Sequence, residues 1–354
     1  MAAAAKYKIK EASNLSPRVK WLRDYYFKGV DRKWNNELIS FSNGNEWDIV
    51  HEESHFYVAP EMYGLIQLGS VGLKQISKKV DLPGDFWEKS LPERRAWFVD
   101  EVMVNHVPQE LLPGDLIAGA RFLIMASKCL DKKQTKDRSK AFSGKKGMRN
   151  VLIEYHDRGF GNFGSISGHI IPGYENVLKH GFKAIYADLE ERYNQLSDKD
   201  KQGKKGGQLK AMMTAARMPQ RIARKYAELC KKLAEKETDK NRKAELREME
   251  KNLSRVPWEG ARNFWEAVQS LWITHMLVMS DEGYTGAGLS FGRVDQYLLP
   301  FWKKSILNGM DRDFGKEILG CFFMHCNSVY DAMIKTGNNQ GITSSFGQII
   351  NLSG

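Results

Sequence analysis

From Gly173 onward one period dominates the sequence. Tyr174 to Leu196, Gln208 to Lys236, Arg242 to Arg255 and Trp258 to Ser280 each repeat apolar side chains at intervals of three and four, with charges between them. That spacing lines up one face of an α-helix, so the pattern predicts four long helices that must bury those faces against a partner. A shorter amphipathic stretch runs from Ser16 to Phe27, and a last helix is expected from Asp313, as its N-cap, to about Ile334.

Strand-like segments are interleaved with this helical pattern. A Pro-Gly-Asp turn at Pro113 leads into LIAGARFLIMAS, VLIEYH spans Val151 to His156, and FGQIINLSG closes the sequence. Another Pro-Gly-Asp turn lies at Pro83, and residues 61–125 otherwise read as short helical patterns. Helices mixed with apolar strands predict an α/β chain. The closing strand has apolar residues on both faces, as a strand inside a sheet does, and no later segment follows to pair with it.

With 354 residues, 42% of them apolar, the chain can bury one large core or two smaller ones. Cys129, Cys230, Cys321 and Cys326 form no paired framework, which fits a reduced interior better than a disulfide scaffold. MAAAAK is too short in apolar residues for a signal peptide, and no run reaches the ~20 apolar residues of a membrane span. A cytoplasmic protein with no membrane partner is expected. The formal charge of +11 concentrates in Lys128 to Arg149 and Asp198 to Lys210. Both are rich in Gly, Ser, Gln and Asp and lack interleaved aromatics, so they read as solvated loops with no nucleic-acid partner.

Several short motifs fail on context. His51, Glu52 and His55 match the HExxH zinc pattern, but Glu53 occupies the position that packs inward and Pro60 stops the helix, so no metal site is assigned. Residues 159–164, GFGNFG, match a phosphate-covering glycine loop, while DFG at Asp313 and APE at Ala59 stand in the wrong order for a kinase. Pro172 interrupts the helix a dinucleotide fold would need after those glycines. Cys321 and Cys326 read as buried structural thiols, with no pair implied between them and His325. His275 falls on the stripe Phe264, Val268, Leu271, then Leu277 or Val278, and reads as a satisfied core histidine.

Two longer motifs are more specific. VPWEGARNFWEAVQSLWITHML from Val256 and SFGRVDQYLLPFW from Ser290 resemble consecutive signatures of glycyl radical enzymes of the pyruvate formate-lyase superfamily. ELLPGDLIAGARF and GHIIPGYENVLKHGF are similar, in order, to earlier passages of that family. The resemblance covers roughly residue 90 to the end, giving an N-terminal helical or irregular region at 1–89 and a partial family domain at 90–354.

The resemblance implies the helix-rich N-terminal part of a ten-stranded α/β barrel. It also implies a thiyl-forming cysteine in a GCxE-type loop and a radical-storing glycine in an RVxGY-like loop. Neither motif occurs in these 354 residues, so no catalytic residue is assigned. The expected cofactor is a protein-derived glycyl radical installed by a radical S-adenosylmethionine activase. Expected partners are a small-molecule substrate, the remaining half of the enzyme or a companion subunit, that activase, and a second copy in a homodimer.

Among substrate-binding positions, His169 matches the histidine by which diol-dehydrating members hold substrate. Ala287 and Gly288 stand where those members carry a His-Ser pair. Losing two polar side chains removes partners for substrate hydroxyls and widens the pocket. The expectation is anaerobic C–C chemistry, such as decarboxylation, on a bulkier aryl or alkyl compound. Diol dehydration and a non-catalytic scaffold derived from the same fold are the alternatives.

Overall fold

The computed structural model describes residues 15–28, 65–67, 76–78, 81–106, 109, 111–119, 136, 154, 158–159, 170–282, 289–327, 349–350 and 352. Among them, nine α-helices and two small sheets are formed. Helix α1 is Pro17–Lys28 and α2 is Leu91–Glu101, which runs into a π-helical turn at Val102–His106. The long array follows as α3 Tyr174–Asn194, α4 Asp198–Gln202, α5 Lys204–Lys236 and α6 Lys240–Arg255. Helices α7 Phe264–Glu282, α8 Val294–Leu307 and α9 Arg312–Asn327 complete it.

Local chemistry sets most of the boundaries. Ser16 caps α1, its Oγ accepting from the Val19 amide, and Pro17 takes the first helical position, where no amide partner is needed. Ser197 caps α4 and Asp239 caps α6, each accepting from the amide three residues on. The cap of α9 is Asp311, which accepts from the Asp313 amide at 3.0 Å, so the start expected at Asp313 moves two residues earlier. That helix is described to Asn327; its expected extension to Ile334 lies outside the described residues.

The basic stretch Asp198 to Lys210 is helical, where a loop was expected. Its side chains are largely solvated, but Ser197 and Gly203 punctuate it into α4 and the start of α5. Gly206 and Gly207 are tolerated in α5 because they lie against neighbouring chain. A Cβ on Gly206 would fall 2.0 Å from the Lys201 carbonyl, and one on Gly207 would fall 2.7 Å from Ser90 Oγ.

At about 50 Å, α5 is the longest element and packs against α2, α3 and α6. Only residues 237–239 separate it from α6, so the two helices run back along each other. Helix α7 is the centre. All residues from Phe264 to Leu277 are buried, and α3, α5, α6, α8 and α9 all touch it. A helix apolar on every side is stable only when surrounded in this way. Helix α1 docks on α9, where Gly320 leaves room for Val19, and Arg18 reaches Glu317 at 3.1 Å and also Glu245 of α6.

Helix α3 is broken at Gly181, whose φ of 73° and ψ of 169° are open only to glycine. The freed amides of Phe182 and Lys183 donate to the carbonyls of Pro257 (3.0 Å) and Trp258 (2.8 Å), and the Ala261 amide donates to Leu178. A Cβ on Gly181 would lie 2.2 Å from the Trp258 oxygen, and one on Gly260 would lie 2.2 Å from the Lys179 oxygen. The HGF and VPWEG segments are thus two halves of one interlock.

The sheets are small. Strand β1 (Leu65–Gln67) pairs antiparallel with β2 (Ile76–Lys78), where helical patterns were expected; Gly64, Gly69 and Gly72 weaken any helix there. Strand β3 (Ser290–Gly292) pairs in parallel with β4 (Ile349–Ile350). The closing strand therefore does have a neighbour, supplied by an earlier segment rather than a later one. Leu116 to Gly119 do not form a strand and residues 120–127 lie outside the described set; of the strand expected at Val151 to His156 only Glu154 is described, and its carbonyl accepts from the Arg158 amide as in a helical turn.

Candidate functional site

Two buried polar assemblies flank α7. In the first, the segment from Pro113 to Gly119 is held by side chains where a sheet ladder would otherwise satisfy it. Trp265 Nε1 donates to the Leu116 carbonyl at 2.7 Å. Gln269 accepts from the Ala118 amide and donates to the Ala118 carbonyl, both at 2.8 Å. His325 Nε2 lies 2.9 Å from both Asp115 Oδ2 and the Ile117 carbonyl, while Asp115 Oδ1 accepts from the Ile117 amide. Since a carbonyl can only accept, Nε2 is the protonated nitrogen of His325. Arg242 closes the outer side by donating to the Asp115 carbonyl. Gly119 (φ 135°) presses against Trp272, where a Cβ would fall 2.4 Å from the indole nitrogen.

In the second assembly, the Tyr174 hydroxyl meets His275 Nδ1 at 2.5 Å, and the His275 ring stacks on Phe291 of β3 with centroids 3.8 Å apart. Tyr297 donates to the Phe291 carbonyl at 2.9 Å. Burial pushes both phenols well above the usual tyrosine range, with Tyr297 and Cys326 adding to the effect at Tyr174. His275 is thus a core histidine, as its stripe suggested, with Nδ1 held by Tyr174. The Ser290 amide donates to the Ile170 carbonyl at 3.0 Å, so the start of β3 is joined to the residue preceding Ile171 and Pro172.

His169, Ala287 and Gly288 lie outside the described residues. Their described flanks, Ile170 on one side and Leu289 with Ser290 on the other, are the segments that this hydrogen bond joins. Cys321 and Cys326 are buried, and burial with Asp115 nearby raises the Cys321 thiol far above its ordinary range, which suits structural thiols. His51, Glu52 and His55 are outside the described set, as is GFGNFG beyond Gly159. Among the described residues, no group of three or more His, Cys, Asp or Glu is placed to hold a metal ion, and no helix is long and apolar enough to cross a membrane.

Sequence reasoning missed the roles of Asp115, Tyr174 and His325. Each carried a weak signal: Asp115 ends a turn tripeptide, Tyr174 opens a helix after Pro-Gly, and His325 interrupts an apolar helix.

The family model for pyruvate formate lyase-like proteins matches residues 130–353. Isethionate sulfite-lyase of Desulfovibrio desulfuricans is 37% identical over 174 residues, 46% of this chain and 20% of that protein. Indoleacetate decarboxylase of Tractidigestivibacter scatoligenes is 42% identical over 88 residues, 25% of this chain and 10% of that protein. A solved structure concerned with 1,2-propanediol dehydration in Roseburia inulinivorans superposes with a TM-score of 0.61 at 19% identity, covering 88% of this chain and 39% of that one. The last likeness establishes the shared fold. The matched stretch spans about a fifth of that sulfite-lyase's length.

Proposed function

Since the chain belongs to the pyruvate formate lyase-like family of glycyl radical enzymes, we propose that it forms the N-terminal part, or one subunit, of a lyase that cleaves a bond in a small organic substrate. Residues 90–354 supply strands and outer helices of the barrel. The observation that carries the reading is the hydrogen bond from Ser290 to Ile170, because it joins the segments that continue into Gly288 and His169. His169 is the substrate-holding side chain in this proposal, and a wall built from Ala287 and Gly288 carries no polar side chain.

A wall of that kind favours a substrate with an apolar body, and the similarity to indoleacetate decarboxylase supports C–C cleavage of an aryl or alkyl acid. The longer similarity to isethionate sulfite-lyase supports a second reading, elimination from a small hydroxylated substrate in the manner of a dehydratase. In both, this chain binds and orients the substrate, while a cysteine and a glycine loop elsewhere in the assembly supply the radical. The assembly acts anaerobically in the cytoplasm as a homodimer, with a radical S-adenosylmethionine activase as partner.

The test is anaerobic activation of the full assembly, followed by electron paramagnetic resonance and product analysis with arylacetates, isethionate and diols. A glycyl doublet with carbon dioxide from an arylacetate is expected. Turnover of isethionate or a diol alone selects the second reading. The absence of any doublet with every companion polypeptide supplied leaves a scaffold role.

A further inference from the structure

A phenol and an imidazole are paired in this protein where water does not reach. Tyr174 is 2% exposed and His275 0%, and the hydroxyl lies 2.5 Å from Nδ1. Phe291 covers both rings, at 3.8 Å from the imidazole and 5.8 Å from the phenol. The Trp272 ring lies 6.1 Å from His275 on one side and 4.9 Å from His325 on the other, and His325 is bonded to Asp115. A run of oxidisable and proton-accepting rings therefore crosses the core from α3 through α7 to α9.

Burial sets the chemistry of such a pair. Burial holds the Tyr174 phenol in its protonated form. Removing an electron from it would leave a positive charge on the ring in a low-dielectric interior, which is costly unless the proton departs in the same event. Nδ1 of His275 is already at hydrogen-bond distance to receive that proton.

We propose that Tyr174 and His275 form a redox-active pair, in which the phenol reduces an oxidising organic radical while its proton passes to Nδ1 of His275. The Tyr174 O–H bond breaks and an N–H bond forms, giving a phenoxyl radical and an imidazolium. The organic radical takes the electron and becomes the corresponding anion. The physiological oxidant rests on the reading above, since a glycyl radical enzyme generates carbon- and sulfur-centred radicals. Tyr174 stands four residues beyond Ile170, beside the proposed substrate segments, so the pair is placed to drain a radical that strays from them.

The experiment needs no activation and so fails independently of the functional reading. The full chain is oxidised with azide radical generated by pulse radiolysis, and radicals that persist are recorded by electron paramagnetic resonance. A long-lived tyrosyl signal is expected, lost in Tyr174→Phe and short-lived in His275→Gln. In wild-type protein equilibrated with D2O, the persistent signal should show an exchangeable deuteron coupled to the phenoxyl oxygen. If either variant does not fold, absence of that coupling in the wild type still overturns the proposal. A persistent signal unchanged in Tyr174→Phe, one without the exchangeable coupling, or no persistent tyrosyl signal in the wild type overturns the proposal.

Discussion

His325 Nε2 lies 2.9 Å from a carboxylate oxygen of Asp115 and 2.9 Å from the Ile117 carbonyl, so one N–H on α9 serves two acceptors two residues apart on a segment 208 residues away. The bond fastens the turn after Pro113 to the helix carrying Cys321 and Cys326. Because both partners are buried, neither acceptor can turn to water when the donor is removed.

His325→Ala should therefore destabilise the chain by about 1–3 kcal/mol beyond its packing loss, through the unsatisfied acceptors it leaves. Urea denaturation of His325→Ala, Asp115→Asn and the double variant measures this. The double variant should cost clearly less than the sum of the singles, since the two residues share one interaction.

Gln269 makes a reciprocal pair with the backbone of Ala118. Gln269→Leu keeps the volume but strands an amide and a carbonyl, each costing about 1–3 kcal/mol. Backbone hydrogen exchange at Ala118 should accelerate sharply in this variant, while amides in α5 and α6 change little. Equal acceleration everywhere would mean that Gln269 serves the whole core and not this segment.

Gly181 and Gly309 both have positive φ, 73° and 91°, but differ in their surroundings. Gly309→Ala meets no atom within 4 Å, so only backbone strain is added, about 1 kcal/mol. Gly181→Ala places a methyl 2.2 Å from the Trp258 oxygen and must open the interlock, so a loss above about 3 kcal/mol is expected. Thermal unfolding of the two variants side by side tests the ranking.

Burial pushes the Cys230 thiol up to about 12. Below about pH 8.5 the thiol is protonated in both the folded and unfolded chain, and the full benefit of burying it is present. As pH rises toward 12 the unfolded chain releases its proton first, so stability falls, at up to ~1.4 kcal/mol per pH unit for one group. Cys230→Ala should flatten the alkaline limb of a stability profile measured by denaturant. In native wild-type protein at neutral pH, the Cys230 peptide should stay unlabelled by iodoacetamide.

The helices were legible because their cause is local. Spacings of three and four located α3, α5, α6 and α7 to within a few residues at most ends, and the stripe through His275 correctly placed that residue in the core. The start of α7 was read six residues early, at Trp258, because Trp258 and Gly260 serve the interlock with α3 and not the helix. The two longer motifs carried the family. Nothing in them showed that HGF and VPWEG fit into each other, since that depends on a backbone break whose freed amides are satisfied some 75 residues away.

By itself, the sequence determined the four long helices of the C-terminal half, their apolar faces and which family the chain joins, because periodicity and motif are properties of neighbouring residues. Only the tertiary structure decided that Ser290–Gly292 is the partner of the closing strand, that the Tyr174 hydroxyl meets His275 Nδ1, and that Ala118 is satisfied by Gln269 across 151 residues. Buried polar groups must find partners wherever the fold brings them, and that constraint leaves no periodic mark on the chain.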